Sequence, residues 1–194
     1  MTMSKQLWAL AGGNGAGKTT FYRLFLAPLG IKLLNADMAA AAIDPESPER
    51  AGYAAAHLVN RLGDDLLDQG VSFCFETVFS HESKIDFVAR AKSLGYKIIL
   101  VYIQLDTPAL NEARVHQRVA EGGHNVPPEK TRSRIPRTMK HIAAVLPLVD
   151  EARLLNNSLR DNPYRQVAVV KRGRRIKAVD PLPTWAAEIL SDIP

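Results

Sequence analysis

Apolar runs alternate with amphipathic stretches along this chain. The runs Leu7–Ala11, Ile31–Leu34, Val71–Phe75 and Ile98–Leu105 carry no clean alternation with polar residues, which is the pattern of parallel strands covered on both faces. Glycine punctuates three of them: Gly30 stands before Ile31, Gly70 before Val71 and Gly95 before Tyr96. Glycine directly after a helix takes the left-handed conformation that ends it. Ser47-Pro48-Glu49 supplies a cap, a first-turn proline and an early acid for a helix. A further parallel strand is expected near Ala152–Leu155. Gln166–Lys171 and Arg174–Ala178 form a small hairpin around Gly173, and a closing helix occupies Pro181–Ile193. Gly122–Pro128 reads as a mobile joint between two helical stretches, and Pro136 kinks the second stretch or marks its start. Strand–helix alternation at this spacing predicts a doubly wound sheet.

Composition narrows the class. The 194 residues suit one domain over 1–194 with room for a small lid, and 46% apolar against 23% charged residues excludes disorder. One cysteine, Cys74, excludes an internal disulfide and is expected in the core. No apolar run approaches a membrane span and the first residues lack a long apolar signal core, so a cytoplasmic protein with no membrane partner is expected. The net charge of +5 is uneven. Arg114–Lys140 holds seven basic residues against Glu121 and Glu129, and Arg165–Lys177 holds six and no acid. Localised arginines suit phosphate groups or a nucleic-acid backbone, while a solvated basic face is the plainer reading of the second run.

The most specific pattern is Gly12-Gly13-Asn14-Gly15-Ala16-Gly17-Lys18-Thr19, a full match to G-x-x-x-x-G-K-[ST] between an apolar run and a helical one. A glycine-rich backbone wraps phosphates closely with its amide hydrogens, so Gly13, Asn14, Gly15, Ala16, Gly17, Lys18, Thr19 and Thr20 are expected to bind the nucleotide. Lys18 reaches the β- and γ-phosphates and the Thr19 hydroxyl ligates Mg²⁺. The absence of an Asn-Lys-x-Asp tetrad weighs against a GTPase, and the absence of a tandem Asp-Glu after an apolar strand weighs against a motor ATPase. Asp106 ends an apolar run, but Asp106-Thr107-Pro108 reads as the start of a helix.

Two acids follow strands. In an α/β sheet the C-terminal strand ends and the P-loop border one crevice. Asp37, in Leu34-Asn35-Ala36-Asp37, can orient an acceptor hydroxyl, take its proton, hold Mg²⁺ through water, or cap the helix over Met38–Ile43. Glu76, in Phe75-Glu76-Thr77, is costly to bury unpaired and should accept hydrogen bonds from a substrate or hold a cation. Arg118 precedes Gly122-Gly123, and Arg132, Arg134 and Arg137 follow it. Arginines on a hinged lid, here about residues 114–140, close over a triphosphate and exclude water. His124 lines the crevice or occupies the joint, and no histidine pair has metal-ligand spacing.

The P-loop, Leu34-Asn35-Ala36-Asp37, Phe75-Glu76-Thr77, Gly122-Gly123-His124-Asn125-Val126-Pro127 with its flanking arginines, and Asn156-Asn157-Ser158 together resemble the zeta toxin family of P-loop kinases. The resemblance implies Asp37 as general base, Glu76 as substrate-side acid with Thr77 beside it, and Arg118 and Arg134 as γ-phosphate arginines. Arg132 and Arg137 join the substrate-binding set. It also implies a UDP-N-acetylamino sugar as acceptor and an antitoxin partner that obstructs nucleotide access. The expected architecture is an α/β P-loop NTPase of the nucleotide-kinase type: a three-layer sandwich with a mostly parallel five-stranded sheet, an arginine-bearing helical lid and a small C-terminal hairpin. The expected activity is ATP- and Mg²⁺-dependent phosphoryl transfer to a hydroxyl. A nucleoside, nucleotide or polynucleotide-end kinase and a non-catalytic ATP-binding module stand as alternatives, with nucleic acid the less expected partner.

Overall fold

Alternate residues of the apolar runs enter two different cores, which is why the runs show no polar face. Leu7, Ala9 and Ala11 pack into one core with Ile98, Leu100 and Tyr102, while Trp8 and Leu10 pack into the other with Ile99, Val101 and Ile103. The computed structural model describes residues 4–123 and 126–194. Its strands are β1 (Gln6–Gly12), β2 (Lys32–Asn35), β3 (Phe73–Thr77), β4 (Lys97–Gln104) and β5 (Glu151–Asn156), all parallel and ordered β2-β3-β1-β4-β5. Leu7 lies opposite Phe73 on one side and Ile98 on the other.

The hairpin is not a separate appendage. β6 (Arg165–Lys171) pairs antiparallel with β5, and β7 (Arg174–Ala178) pairs with β6, so one sheet has seven strands. Val167, Ala168 and Val170 are buried along β6, so the strand extends the core. β7 is exposed throughout and closes the edge with charge, which discourages pairing with another chain.

The helices are α1 (Lys18–Phe21), α2 (Ala36–Ile43), α3 (Pro48–Asp68), α4 (Ser83–Ser93), α5 (Pro108–Ala120), α6 (Pro128–Val145) and α7 (Thr184–Ile189). Leu67 of α3, Val88 of α4, Ile142 of α6 and Trp185 of α7 cover one sheet face. Phe21 of α1 and Leu26, in the π-helical turn that prolongs it, cover the other. The three predicted helix-closing glycines have φ of 71° at Gly30, 71° at Gly70 and 81° at Gly95.

Several boundaries differ from the pattern. Val71 and Ser72 precede β3, which continues to Thr77 and therefore carries Glu76 within the strand. Ser47 occupies the cap position of α3 without a side-chain bond, and its amide donates to Asp44 Oδ1 at 2.9 Å. Asp106-Thr107-Pro108 does open a helix, with Thr107 as the cap of α5 and Pro108 in its first turn. The helix runs on through Pro136 and starts at Pro128, so the proline neither begins nor ends it. His124 and Asn125 lie outside the described residues. Among the described residues no helix is long and apolar enough to cross a membrane.

Candidate functional site

The loop between β1 and α1 is built at the C-terminal end of the central strand. The Ala16 amide donates to the Gly13 carbonyl at 3.2 Å, and Gly15 and Gly17 have φ of 76° and 97°. Gly15 is required on a second ground: a Cβ there would lie 2.5 Å from the Asn111 carbonyl oxygen of α5. The lid helix is thus seated directly on the loop. Lys18 folds back with Nζ donating to the Gly12 and Gly13 carbonyls, at 3.0 and 3.1 Å.

Two cavities meet at this point. One, of about 510 Å³, is lined by Asn14, Asp37, Thr77, Lys84 and Arg134, with Phe75, Phe79 and Phe87 as apolar wall. The other, of about 570 Å³, is lined by Gly15, Gly17, Thr19, Thr20, Arg114, Arg118, Asn157 and Tyr164. Lys18 and Glu76 line both. The Thr19 hydroxyl donates to the Glu76 carboxylate, 3.0 Å from Oε1 and 3.1 Å from Oε2.

Charges of both signs surround the buried Lys18 ammonium. Burial is the dominant influence and holds its pKa below the ordinary lysine value; Glu76 and Asp37 oppose that shift, and Arg118 and Arg134 reinforce it. Lys84, at the wall of the first cavity, is likewise lowered by burial against a raising influence of Asp64, and its Nζ donates to Asn60 Oδ1 at 3.0 Å. Burial pushes the Cys74 thiol up, and the residue is core, as its strand position predicts. Asn14 Oδ1 and Asn111 Oδ1 are buried with no hydrogen-bond partner, so each needs a donor from water or a ligand.

The structure gathers Lys18, Thr19, Asp37, Glu76, Thr77, Arg118 and Arg134 around these two cavities. Asp37 is not the cap of α2: Asn35 Oδ1 accepts from the Met38 amide at 3.0 Å, and Asp37 sits in the first turn with its carboxylate toward the cavity. Two expected substrate arginines lie elsewhere. Arg132 is exposed and ion-paired with Glu112 of α5, and Arg137 is exposed with Nε donating to the Ser133 carbonyl at 3.2 Å. Helical phase turns Arg132 away, since it stands two residues from both Lys130 and Arg134, the α6 residues that line the first cavity; Arg137 is in phase with them by spacing but stands nearly a turn beyond Arg134, past the cavity.

Sequence reading missed one wall of the second cavity. Arg114 stands one turn before Arg118 on the same face of α5, a signal available from spacing. Leu159, Arg160, Pro163 and Tyr164 follow β5, and the rule that pointed to Asp37 also points to this strand end.

The zeta toxin family model matches residues 3–177. An uncharacterized protein of Haemophilus influenzae is 31% identical over 127 residues, which cover 62% of this chain and 90% of that protein. The AvrRxo1-ORF1:ORF2 structure with ATP superposes with a TM-score of 0.75 at 21% identity, over 99% of this chain and 64% of the matched one. This chain therefore spans less than two thirds of the AvrRxo1 chain. A chain from the PezAT chromosomal toxin–antitoxin system of Streptococcus pneumoniae superposes with a TM-score of 0.65 at 15% identity, over 99% of this chain and 79% of that one. The sheet order and loop give a P-loop kinase fold, and with the family match over nearly the whole length the chain belongs to the zeta toxin family.

Proposed function

We propose that the protein is an ATP-dependent kinase that phosphorylates a hydroxyl of a small molecule, a UDP-N-acetylamino sugar. The observation that carries this reading is the sharing of Lys18 and Glu76 by both cavities. A triphosphate laid along Gly13–Thr20 in one cavity ends where the other, with Asp37, begins. Such a junction places donor and acceptor for in-line attack without water between them.

In the transfer the acceptor oxygen bonds to the γ-phosphorus while the bond to the β–γ bridging oxygen breaks, and ADP leaves. Asp37 orients the hydroxyl and takes its proton. Lys18, Arg118 and Arg134 bring positive charge to the phosphoryl group from the loop, from α5 and from α6. Thr19 Oγ1 and the Glu76 carboxylate are adjacent oxygen donors, which suits Mg²⁺, an ion that takes one or two protein oxygens and keeps phosphate and water for the rest. When bound with ATP it neutralises phosphate charge.

The sheet order argues against a polynucleotide acceptor. The basic hairpin β6–β7 lies at the opposite edge from β2, whose end carries Asn35 and the neighbouring Asp37 of the acceptor cavity, so its arginines do not extend that cavity. The PezAT system and the AvrRxo1 complex each contain a second protein, and the proposal extends to a restraining protein partner for this chain. Incubation with ATP, Mg²⁺ and UDP-N-acetylglucosamine, followed by mass spectrometry, is expected to show ADP and a sugar nucleotide carrying one added phosphoryl group. ATP uptake with no transfer to this sugar or to any metabolite of a cell extract would reduce the protein to a binding module.

A further inference from the structure

Three side chains from outside the P-loop hold its carbonyl oxygens. Asn111 Nδ2 of α5 donates to the Asn14 carbonyl at 2.7 Å, Asn157 Nδ2 to the Ala16 carbonyl at 2.8 Å, and the Tyr164 hydroxyl to the Gly17 carbonyl at 2.9 Å. They come from three separate places: α5, the segment after β5, and the residue before β6. Both asparagines are buried. The last two support each other, since the Tyr164 amide donates to Asn157 Oδ1 at 3.2 Å. The Tyr164 ring is wedged edge-on against Phe21 and Phe25, with centroids 5.3 and 5.8 Å away.

A trans peptide is planar, with its carbonyl and its amide hydrogen pointing in opposite directions. Holding one residue's oxygen therefore aims the next residue's N–H the other way. Asn111 aims the amide of Gly15, Asn157 that of Gly17, and Tyr164 that of Lys18. The peptides entering Gly15 and Gly17 are also the ones that flip at least steric cost, because glycine accepts either sign of φ. A flipped peptide presents an oxygen where an anion needs a donor.

We propose that Asn111, Asn157 and Tyr164 are positioning residues, a bracket that presets the P-loop amides for the polyphosphate before it arrives. The proposal rests on the reading of the loop as the ATP site. A preset loop spends none of its binding energy on turning its own peptides. It also ties nucleotide affinity to the registry of α5, because Asn111, Arg114 and Arg118 lie on one face of that helix.

Tyr164→Phe keeps the ring and removes one donor; Asn157→Asp keeps the shape and turns a donor into an oxygen facing an oxygen. Each is titrated calorimetrically with ATP and with inorganic tripolyphosphate, beside the melting temperature without nucleotide and the KM values for ATP and the acceptor. Tyr164→Phe should weaken ATP and tripolyphosphate alike by about fivefold or more, as loss of the hydroxyl's bonds to the Gly17 carbonyl and the Thr20 side chain implies. Asn157→Asp should weaken both further, and the acceptor KM should stay at the parental value in both variants. If Asn157→Asp does not fold, Tyr164→Phe decides alone. An ATP affinity in Tyr164→Phe indistinguishable from the parent's, or equal losses for ATP and acceptor, would overturn the bracket. A parent protein that takes up neither ATP nor tripolyphosphate would instead remove the P-loop reading beneath it, and the bracket with it.

Discussion

Lys18 is a buried cation, and burying it costs stability. Burial lowers its pKa, so the folded state binds its proton less tightly than the unfolded chain does. Stability should then rise with pH across the window from that lowered pKa to the ordinary lysine value, where the unfolded chain holds the extra proton. Lys18→Met should lose this rise, melt no lower than the parent at neutral pH, and show no phosphoryl transfer. Thermal melts across alkaline pH, run beside a transfer assay, check all three. Asp37 has the opposite character: it is exposed at the cavity and does not cap its helix. Asp37→Asn should lower kcat by about a hundredfold or more, the scale of a lost general base, with ATP affinity unchanged by titration. A parental kcat would leave Asp37 without a part in the chemistry. Cys74 should resist a thiol reagent in the native protein and react only after unfolding, because burial in β3 holds the thiol protonated.

At the scale of elements, α5 and α6 divide the arginines by helical phase. Arg118 and Arg134 face the cavities, and Arg132 is turned to Glu112. Arg118→Ala and Arg134→Ala should each lower kcat by at least tenfold, whereas Arg132→Ala should stay within about twofold of the parent, as an exposed ion pair implies. Steady-state kinetics of the three variants decides between phase and mere proximity in sequence. The same contrast explains what could be read in advance. The P-loop and the helix-closing glycines are legible because a backbone requirement is written into adjacent residues. Four of the five parallel strands declare themselves by the lack of a polar face in Leu7–Ala11, Ile31–Leu34, Val71–Phe75 and Ile98–Leu105. Which face of α6 meets the cavity, and so the exclusion of Arg132, is not legible, because it is set by the distant elements against which Thr131, Ile135, Thr138 and Ile142 are buried. Asn111 and Tyr164 are single polar residues whose partners lie 97 and 147 positions away, and no local pattern announces such contacts; Asn157 stands in the segment Asn156-Asn157-Ser158, but its partner, 141 positions away, is not announced there.

At the scale of the whole molecule, the sheet separates stability from chemistry. The apolar faces of β1 and β4 fill two cores, and the reactive side chains gather at the C-terminal ends of β1, β2 and β3. Leu100, fully buried in β4, lies within the sheet and lines neither cavity. Leu100→Ala should therefore cost about 2–5 kcal/mol of stability, read from urea denaturation, and leave the KM for ATP of the folded protein unchanged. Unequal charge follows the same partition, with Arg114, Arg118 and Arg134 beside the cavities and the basic hairpin at the far edge. The two cavities join at Lys18 and Glu76, and the proposed transfer needs the γ-phosphate at that junction. A crystal structure with Mg²⁺ and an ATP analogue carrying a nitrogen bridge between the β- and γ-phosphates tests it most directly. The triphosphate should lie along Gly13–Thr20 with its γ-phosphorus between Lys18 and the Asp37 cavity. A γ-phosphate directed away from that cavity, or a nucleotide bound elsewhere, would contradict it.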